Sequence, residues 1–239
     1  MADAFGKALE GYLNGNPSPY FVRRDDDYLE PCDLAVYFTD YSKWHDFEKK
    51  ILKYVQGRIL DLGAGAGRHS LYFQNKGFEV YAIDISPGAV EVMRKRGVKN
   101  VHLMDLRKLN FPENYFDSVL MMFNNFGLAG SIEGTKKLLK VLSKISKPRG
   151  RIITTIRNPY QTDKPGHLAY HEHNRKSGKP AGLIRMRIEY KGEVGNWFDL
   201  LMVSAEELEE LIQDTGWKIL RIIEGQDGMY GVVLEKQYI

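Results

Sequence analysis

The sequence predicts an α/β fold, and three stretches carry that prediction. Arg58–Phe73 begins as a short apolar run, Ile59-Leu60, ends it in Asp61, turns on the alternate glycines Gly63, Gly65 and Gly67, and then takes helical spacing through Leu71, Tyr72 and Phe73. This is strand, tight loop, helix: glycine tolerates positive φ and lets backbone approach a ligand, and the new helix aims free N–H groups into the loop. Phe78–Ile83 repeats the strand and ends in Asp84, 21 residues beyond Gly63. Ser118–Phe123 is a continuous apolar run, as in a central strand buried on both faces.

The other elements follow in order. Ala2–Leu13 reads as a short helix and Asn14–Pro19 as a turn cluster. Tyr20, Tyr28, Tyr37 and Tyr41 crowd the region before the loop, where such rings either dock the segment or fold over a ligand. Ser42–Val55 reads as a helix capped by Ser42, with Trp44, Phe47, Ile51 and Val55 on one face. After Asp84, Ser86 is an N-cap and Pro87 the first residue of a helix to Arg96, which leaves Asp84 free for a ligand. Val101–Met104 is a third strand before Asp105-Leu106, and the apolar run to Phe123 opens into Asn124-Asn125-Phe126-Gly127 at the carboxyl end of a central strand. Ile132–Ile145 is a helix with Leu138, Leu139, Val141, Leu142 and Ile145 inward. Its Lys136, Lys140 and Lys144 stripe is read as a solvated face rather than a nucleic-acid patch.

Lys147–Ile156 is a turn and strand, and Arg157–Gly182 reads as loop. That loop holds His167, His171 and His173, whose spacing matches no metal motif. Leu183–Tyr190 and Asn196–Val203 form a hairpin carrying Trp197-Phe198. Ser204 and Glu207 make a capping box for the helix Ala205–Thr215, and Lys218–Glu224 and Met229–Gln237 are the final strands.

Composition bounds the rest. A length of 239 residues suits one large α/β domain or one domain with a lid, and 43% hydrophobic residues suffice for its core. A net charge of +3 implies neither nucleic acid nor membrane. The single cysteine, Cys32, excludes an internal disulfide framework and a multi-cysteine metal site, and suits a passive thiol in a reducing cytoplasm. No apolar run resembles a signal peptide or is long enough to span a bilayer.

The loop is not a dinucleotide fingerprint, which would need glycine where Arg68 stands. Asp61-x-Gly63-x-Gly65-x-Gly67 instead resembles the first motif of the class I S-adenosylmethionine-dependent methyltransferases. The resemblance covers residues 43–158 and, more loosely, 204–239. It implies a doubly wound, seven-stranded, mostly parallel sheet with an antiparallel last strand. Residues 1–41 would be an N-terminal lid, 42–239 the methyltransferase domain, and 157–203 a substrate-side insertion with its β-hairpin. The cofactor, S-adenosyl-L-methionine, would meet Gly63, Ala64, Gly65, Gly67 and Arg68 at its methionine end, with Asp61 placing the ammonium group. Asp84 would serve the ribose, Asp105 and Leu106 the adenine, and Ile85 and Asn124 would complete the site.

The implied function is methyl transfer to oxygen or nitrogen of a small-molecule acceptor. The alternatives are an RNA methyltransferase, or a nucleotide-cofactor binder without methyl transfer. Some nitrogen methyltransferases carry Asn/Asp-Pro-Pro-aromatic where Asn124-Asn125-Phe126 stands here without prolines, which weakens a DNA-adenine or glutamine reading. A general base is optional, and His171, His173 and Asn125 are the catalytic candidates. No metal or membrane is implied, and the chain is expected to act as monomer or homodimer. Asp84→Ala is expected to weaken cofactor binding while barely changing the stability of the ligand-free protein.

Overall fold

The computed structural model describes residues 3–237. In chain order it contains α1 (Ala4–Leu13), β1 (Tyr20–Arg24), β2 (Leu29–Cys32), α2 (Asp46–Leu52), β3 (Ile59–Leu62), α3 (Arg68–Asn75), β4 (Val80–Asp84), α4 (Pro87–Lys95) and β5 (Asn100–Leu103). Then follow β6 (Phe116–Met121), α5 (Ile132–Ile145), β7 (Ser146–Arg157), α6 (Pro165–Lys176), β8 (Leu183–Tyr190), β9 (Glu193–Val194), β10 (Phe198–Leu201), α7 (Ala205–Leu211), β11 (Trp217–Glu224) and β12 (Met229–Lys236). Ala2, where the first helix was expected to begin, lies outside the described residues.

The expected seven-stranded sheet is present, in the order β11-β12-β7-β6-β3-β4-β5. β3, β4 and β5 run parallel, as do β6 and β7, while the last strand, β12, is antiparallel to both β7 and β11. A second sheet has the order β10-β8-β1-β2, with β9 beside β8. The chain divides into two compact units. The first holds residues 1–44, 57–110 and 185–198; the second holds 45–56, 111–184 and 199–239.

In the first unit, Ile59, Leu60, Leu62, Ala82 and Ile83 are fully buried, as expected of parallel strands covered on both faces. β1 and β2 occupy the tyrosine-rich stretch where the sequence suggested no strand. β1 pairs antiparallel with β2 and also with β8, whose Arg187 lies opposite Arg23. A partner more than 160 positions away leaves no local signature in Tyr20–Arg24.

In the second unit, Phe116, Val119, Leu120 and Met121 of β6 are buried, as the apolar run implied. Leu138, Leu139, Leu142 and Ile145 of α5 point inward, but Val141 is exposed. α2 is shorter than the predicted 42–55 helix. At the end of the first unit's 1–44 segment, Asp40 accepts the Ser42 N–H at 3.0 Å and caps a separate 3₁₀ turn, Tyr41–Lys43, so the chain is extended at Trp44 before α2 begins. Such local side-chain bonds compete with helix formation.

The predicted loop 157–182 contains α6. Its buried residues are Tyr170, His171 and Asn174, not aliphatics, so no apolar stripe marked it in the sequence. Asn174 instead secures the helix by donating to the carbonyls of Ala181 and Leu183, at 3.2 and 2.6 Å.

Candidate cofactor site and catalytic residues

The three alternate glycines are needed for their backbone conformation. Gly63, Gly65 and Gly67 have φ of 68°, 57° and 76°, the left-handed region that side chains disfavour. The N–H groups of Gly63 and Ala64 both donate to the Ile83 carbonyl, at 2.9 and 3.0 Å, which ties the loop to the end of β4. Gly67 precedes α3, and a Cβ there would stand 2.8 Å from Val98 Cγ2 and 3.1 Å from Met93 Cγ.

Asp84 is only 7% exposed. Its Oδ2 accepts the Gly65 N–H and its Oδ1 the Ser86 N–H, both at 2.9 Å. This corrects the expectation that Ser86 leaves Asp84 free. Ser86 does cap α4 by accepting the Ala89 N–H, but Asp84 also anchors the glycine loop. Burial raises the Asp84 carboxyl from an ordinary 3.8 to about 6, against the lowering effect of those two N–H bonds. The folded chain therefore binds this proton more tightly than the unfolded chain. The proton-linked part of Asp84's contribution to stability should be fully present below pH 4 and lost as pH rises to about 6, a swing of roughly 3 kcal/mol at most. Urea unfolding between pH 4 and 7 should show a flatter pH dependence for Asp84→Asn than for the wild type. Parallel curves for the two proteins would refute the assignment.

Asp61 is buried, and its Oδ2 accepts the Ser70 hydroxyl at 2.6 Å, joining β3 to α3. Burial pushes its carboxyl up. Arg68 is also buried, with its guanidinium 4.3 Å from the Trp44 ring centroid. Asp105 makes a bidentate pair with Arg107, at 2.6–3.0 Å, and also accepts the Arg107 N–H, which holds its carboxyl below the usual range. Leu106 opens a 3₁₀ turn beside it.

Ile85, immediately after Asp84, is 60% exposed, and Leu103, directly opposite Asp84 in the parallel register, is 57% exposed. Two bare aliphatic side chains at adjoining strand ends offer an apolar surface to a flat ligand. Sequence reasoning missed Leu103, because it reads as an ordinary strand residue until register places it beside Asp84.

Asn124, Asn125, His171 and His173 belong to the second unit. Phe123 and Asn124 have φ of 55° and 67°, two consecutive left-handed residues without glycine at the end of β6. Asn124 Oδ1 accepts the Arg157 N–H at 2.7 Å, and Asn125 begins a 3₁₀ turn. On α6, His171 is buried with its ring 6.2 Å from that of Tyr160, whereas His173 is exposed. Tyr160 donates its hydroxyl to Glu207, and burial together with that acceptor pushes the phenol up to about 12. In the lysine-rich region, Lys144 pairs with Glu113 at 3.1 Å and Lys147 with Asp117 at 2.8 Å.

The parallel sheet, the left-handed glycine loop and an acid closing the next strand define an α/β protein of the nucleotide-cofactor type. A family model described as a methyltransferase domain matches residues 60–154. A demethylmenaquinone methyltransferase of Renibacterium salmoninarum is 25% identical over 78% of this chain and 84% of its own. One of Clavibacter sepedonicus is 40% identical over 40% of this chain and 39% of its own. The solved structure of a SAM-dependent methyltransferase from Bacteroides fragilis, in complex with S-adenosyl-L-homocysteine, is 28% identical with a TM-score of 0.84, covering 99% of this chain and 96% of that one. Together these matches support a class I S-adenosylmethionine-dependent methyltransferase.

Proposed function

We propose that the chain holds S-adenosylmethionine at the glycine loop and transfers its methyl group to oxygen or nitrogen of a small-molecule acceptor. The observation that carries this is the loop itself: three alternate glycines at positive φ, with the middle N–H anchored on Asp84. The donor set suits the cofactor. A buried carboxyl raised to about 6 gains from neutral hydroxyl donors, which a ribose supplies, and exposed Ile85 and Leu103 suit a purine face. Asp61 would place the ammonium group, with Gly63, Ala64, Gly67 and Arg68 around the methionine portion. Asp105 and Leu106 would meet the adenine, and Asn124 would complete the site.

The sulfonium supplies an electrophilic methyl, so the protein's tasks are alignment and exclusion of water. A base is needed only for an acceptor that must lose a proton. His171 is our first candidate, then His173, with Asn125 to orient the acceptor. Tyr160, held neutral, is a poor base at neutral pH. The demethylmenaquinone named for the two relatives supports a small-molecule acceptor. We assign residues 1–41 as a lid segment, 42–239 as the catalytic domain and 157–203 as its substrate-side insertion. The single half-buried thiol, Cys32, supports a cytoplasmic setting, and we propose a monomer or homodimer. Among the described residues no helix is long and apolar enough to cross a membrane.

Calorimetry should show S-adenosylmethionine and S-adenosylhomocysteine binding, with nicotinamide cofactors far weaker. A tritium-methyl screen over metabolite fractions should then label a small molecule. Folded protein giving no heat with either sulfur cofactor would overturn the cofactor assignment, and label entering only RNA would overturn the acceptor class.

A further inference from the structure

The first helix packs on α4 backbone against backbone. A Cβ at Gly88 would stand 2.6 Å from Gly6 Cα, and one at Gly6 would stand 2.6 Å from Ser86 Oγ, so neither glycine has room for a side chain. Asp3 holds this junction. Its carboxylate accepts the Gly6 N–H at 2.9 Å, the Gly88 N–H at 2.7 Å and the Ser86 hydroxyl at 2.8 Å. One negative group thus serves the first turns of two helices, where the peptide dipoles favour it. Ser86 also donates its N–H to Asp84, and Asp84 accepts from Gly65. The contacts are continuous from Asp3 through Ser86 and Asp84 to the glycine loop.

What this junction positions is aromatic. Phe5 lies two residues after Asp3. A Cβ at Gly65 would stand 3.6 Å from the Tyr37 ring and 4.0 Å from that of Phe5, so both rings lie against the loop. Phe5 and Tyr37 meet edge to face at 5.4 Å, and Phe5 meets Tyr20 in the same way at 5.9 Å. The Tyr20 and Tyr37 hydroxyls are 3.0 Å apart. On its other side, α1 is fixed by the fully buried Ala8 and Leu9, by Gly11 close to the Tyr190 hydroxyl, and by the Lys7–Glu193 ion pair. The helix is packed into the first unit's core.

We propose that Asp3 is a positioning residue of the cofactor site, docking α1 on α4 so that Phe5 and Tyr37 form an aromatic wall against the glycine loop. The inference rests on the loop's being the cofactor site, and it adds residues that lie outside the cofactor motifs. Asp3 acts through the placement of Phe5; Phe5 and Tyr37 are the residues that meet the ligand.

The test compares wild type with Asp3→Ala, Asp3→Asn and Phe5→Leu in the full chain. The readouts are S-adenosylhomocysteine affinity by calorimetry and hydrogen exchange of residues 4–13. Asp3→Ala should raise exchange in 4–13 and weaken binding about tenfold, a usual size for coupling between two linked sites. Asp3→Asn, which keeps one acceptor oxygen, should recover part of both effects. Phe5→Leu should leave exchange in 4–13 near wild type and still weaken binding several-fold. Raised exchange in Asp3→Ala with unchanged affinity would make Asp3 a helix cap only and overturn the proposal, as would unchanged affinity in Phe5→Leu. If the folded wild type fails to bind S-adenosylhomocysteine, the cofactor reading beneath it is what falls.

Discussion

Asp84→Ala is expected to weaken S-adenosylhomocysteine binding on the order of ten- to hundredfold and also to lower the stability of the ligand-free protein. The first effect follows from the loss of the hydrogen bonds proposed between ribose hydroxyls and the Asp84 carboxylate, worth roughly 1.5–3 kcal/mol, at about 1.4 kcal/mol per decade of affinity. The second follows from what Asp84 does without ligand. Alanine would strand the Gly65 and Ser86 N–H groups in a site where the carboxylate is 7% exposed. A buried unsatisfied donor costs about 1–3 kcal/mol, offset by removal of an acid that burial disfavours. A net loss of about 1 kcal/mol lowers the melting temperature by about 2–4 °C in a chain of this size. Calorimetry and thermal unfolding on one preparation check both parts. Unchanged affinity would remove Asp84 from the cofactor site, and an unchanged melting temperature would show that water replaces it at the loop.

Asp84, which anchors the glycine loop and is proposed to meet the ribose, shows how far the sequence could be read. The glycine spacing and the acid at the next strand end were legible, because positive φ and a strand terminus each demand particular residue types. The two N–H bonds to Asp84 were not, because they depend on how the loop folds back on β4, a distance of 19 positions between Gly65 and Asp84. The same divide separates the helices. α5 and the capping box Ser204/Glu207 announced themselves through periodicity and local chemistry, and both are present. α6 did not, since its buried face is Tyr170, His171 and Asn174, residues that sequence patterning counts as polar or ambiguous. Asp3 and Phe5 were invisible for a similar reason. A carboxylate before a short helix signals a cap for that helix, and nothing local says that Gly88, 85 positions on, shares it. Leu103 gains its interest only from a register that sets it opposite Asp84.

The largest stability effect is expected in the other unit, at Gly127. This residue closes the Asn124–Gly127 turn after β6, donating its N–H to the Asn124 carbonyl at 3.0 Å and accepting from Gly130 at 3.0 Å. A Cβ here would overlap the Leu201 carbonyl oxygen and stand 2.7 Å from Leu201 C and 2.9 Å from Leu201 N. All three atoms are backbone of β10, so no rotamer change relieves the clash and the turn or the strand has to move. Overpacking of this kind costs about 1–3 kcal/mol and more where backbone must shift, so Gly127→Ala should lose about 3 kcal/mol. At about 2–4 °C per kcal/mol, the melting temperature should fall by roughly 10 °C. The clash lies beside Asn124 and Asn125 and leaves the glycine loop, in the other unit, without a changed residue. Because Asn124 is proposed to complete the cofactor site and Asn125 to orient the acceptor, methyl transfer by the folded variant at 20 °C and its affinity for S-adenosylhomocysteine should both fall, the affinity by about threefold or more, roughly 0.7 kcal/mol at the least. A melting temperature within 2 °C of wild type would show that β10 yields to the methyl group at little cost. Unchanged affinity with reduced turnover would remove Asn124 from the cofactor site and leave the turn to the acceptor.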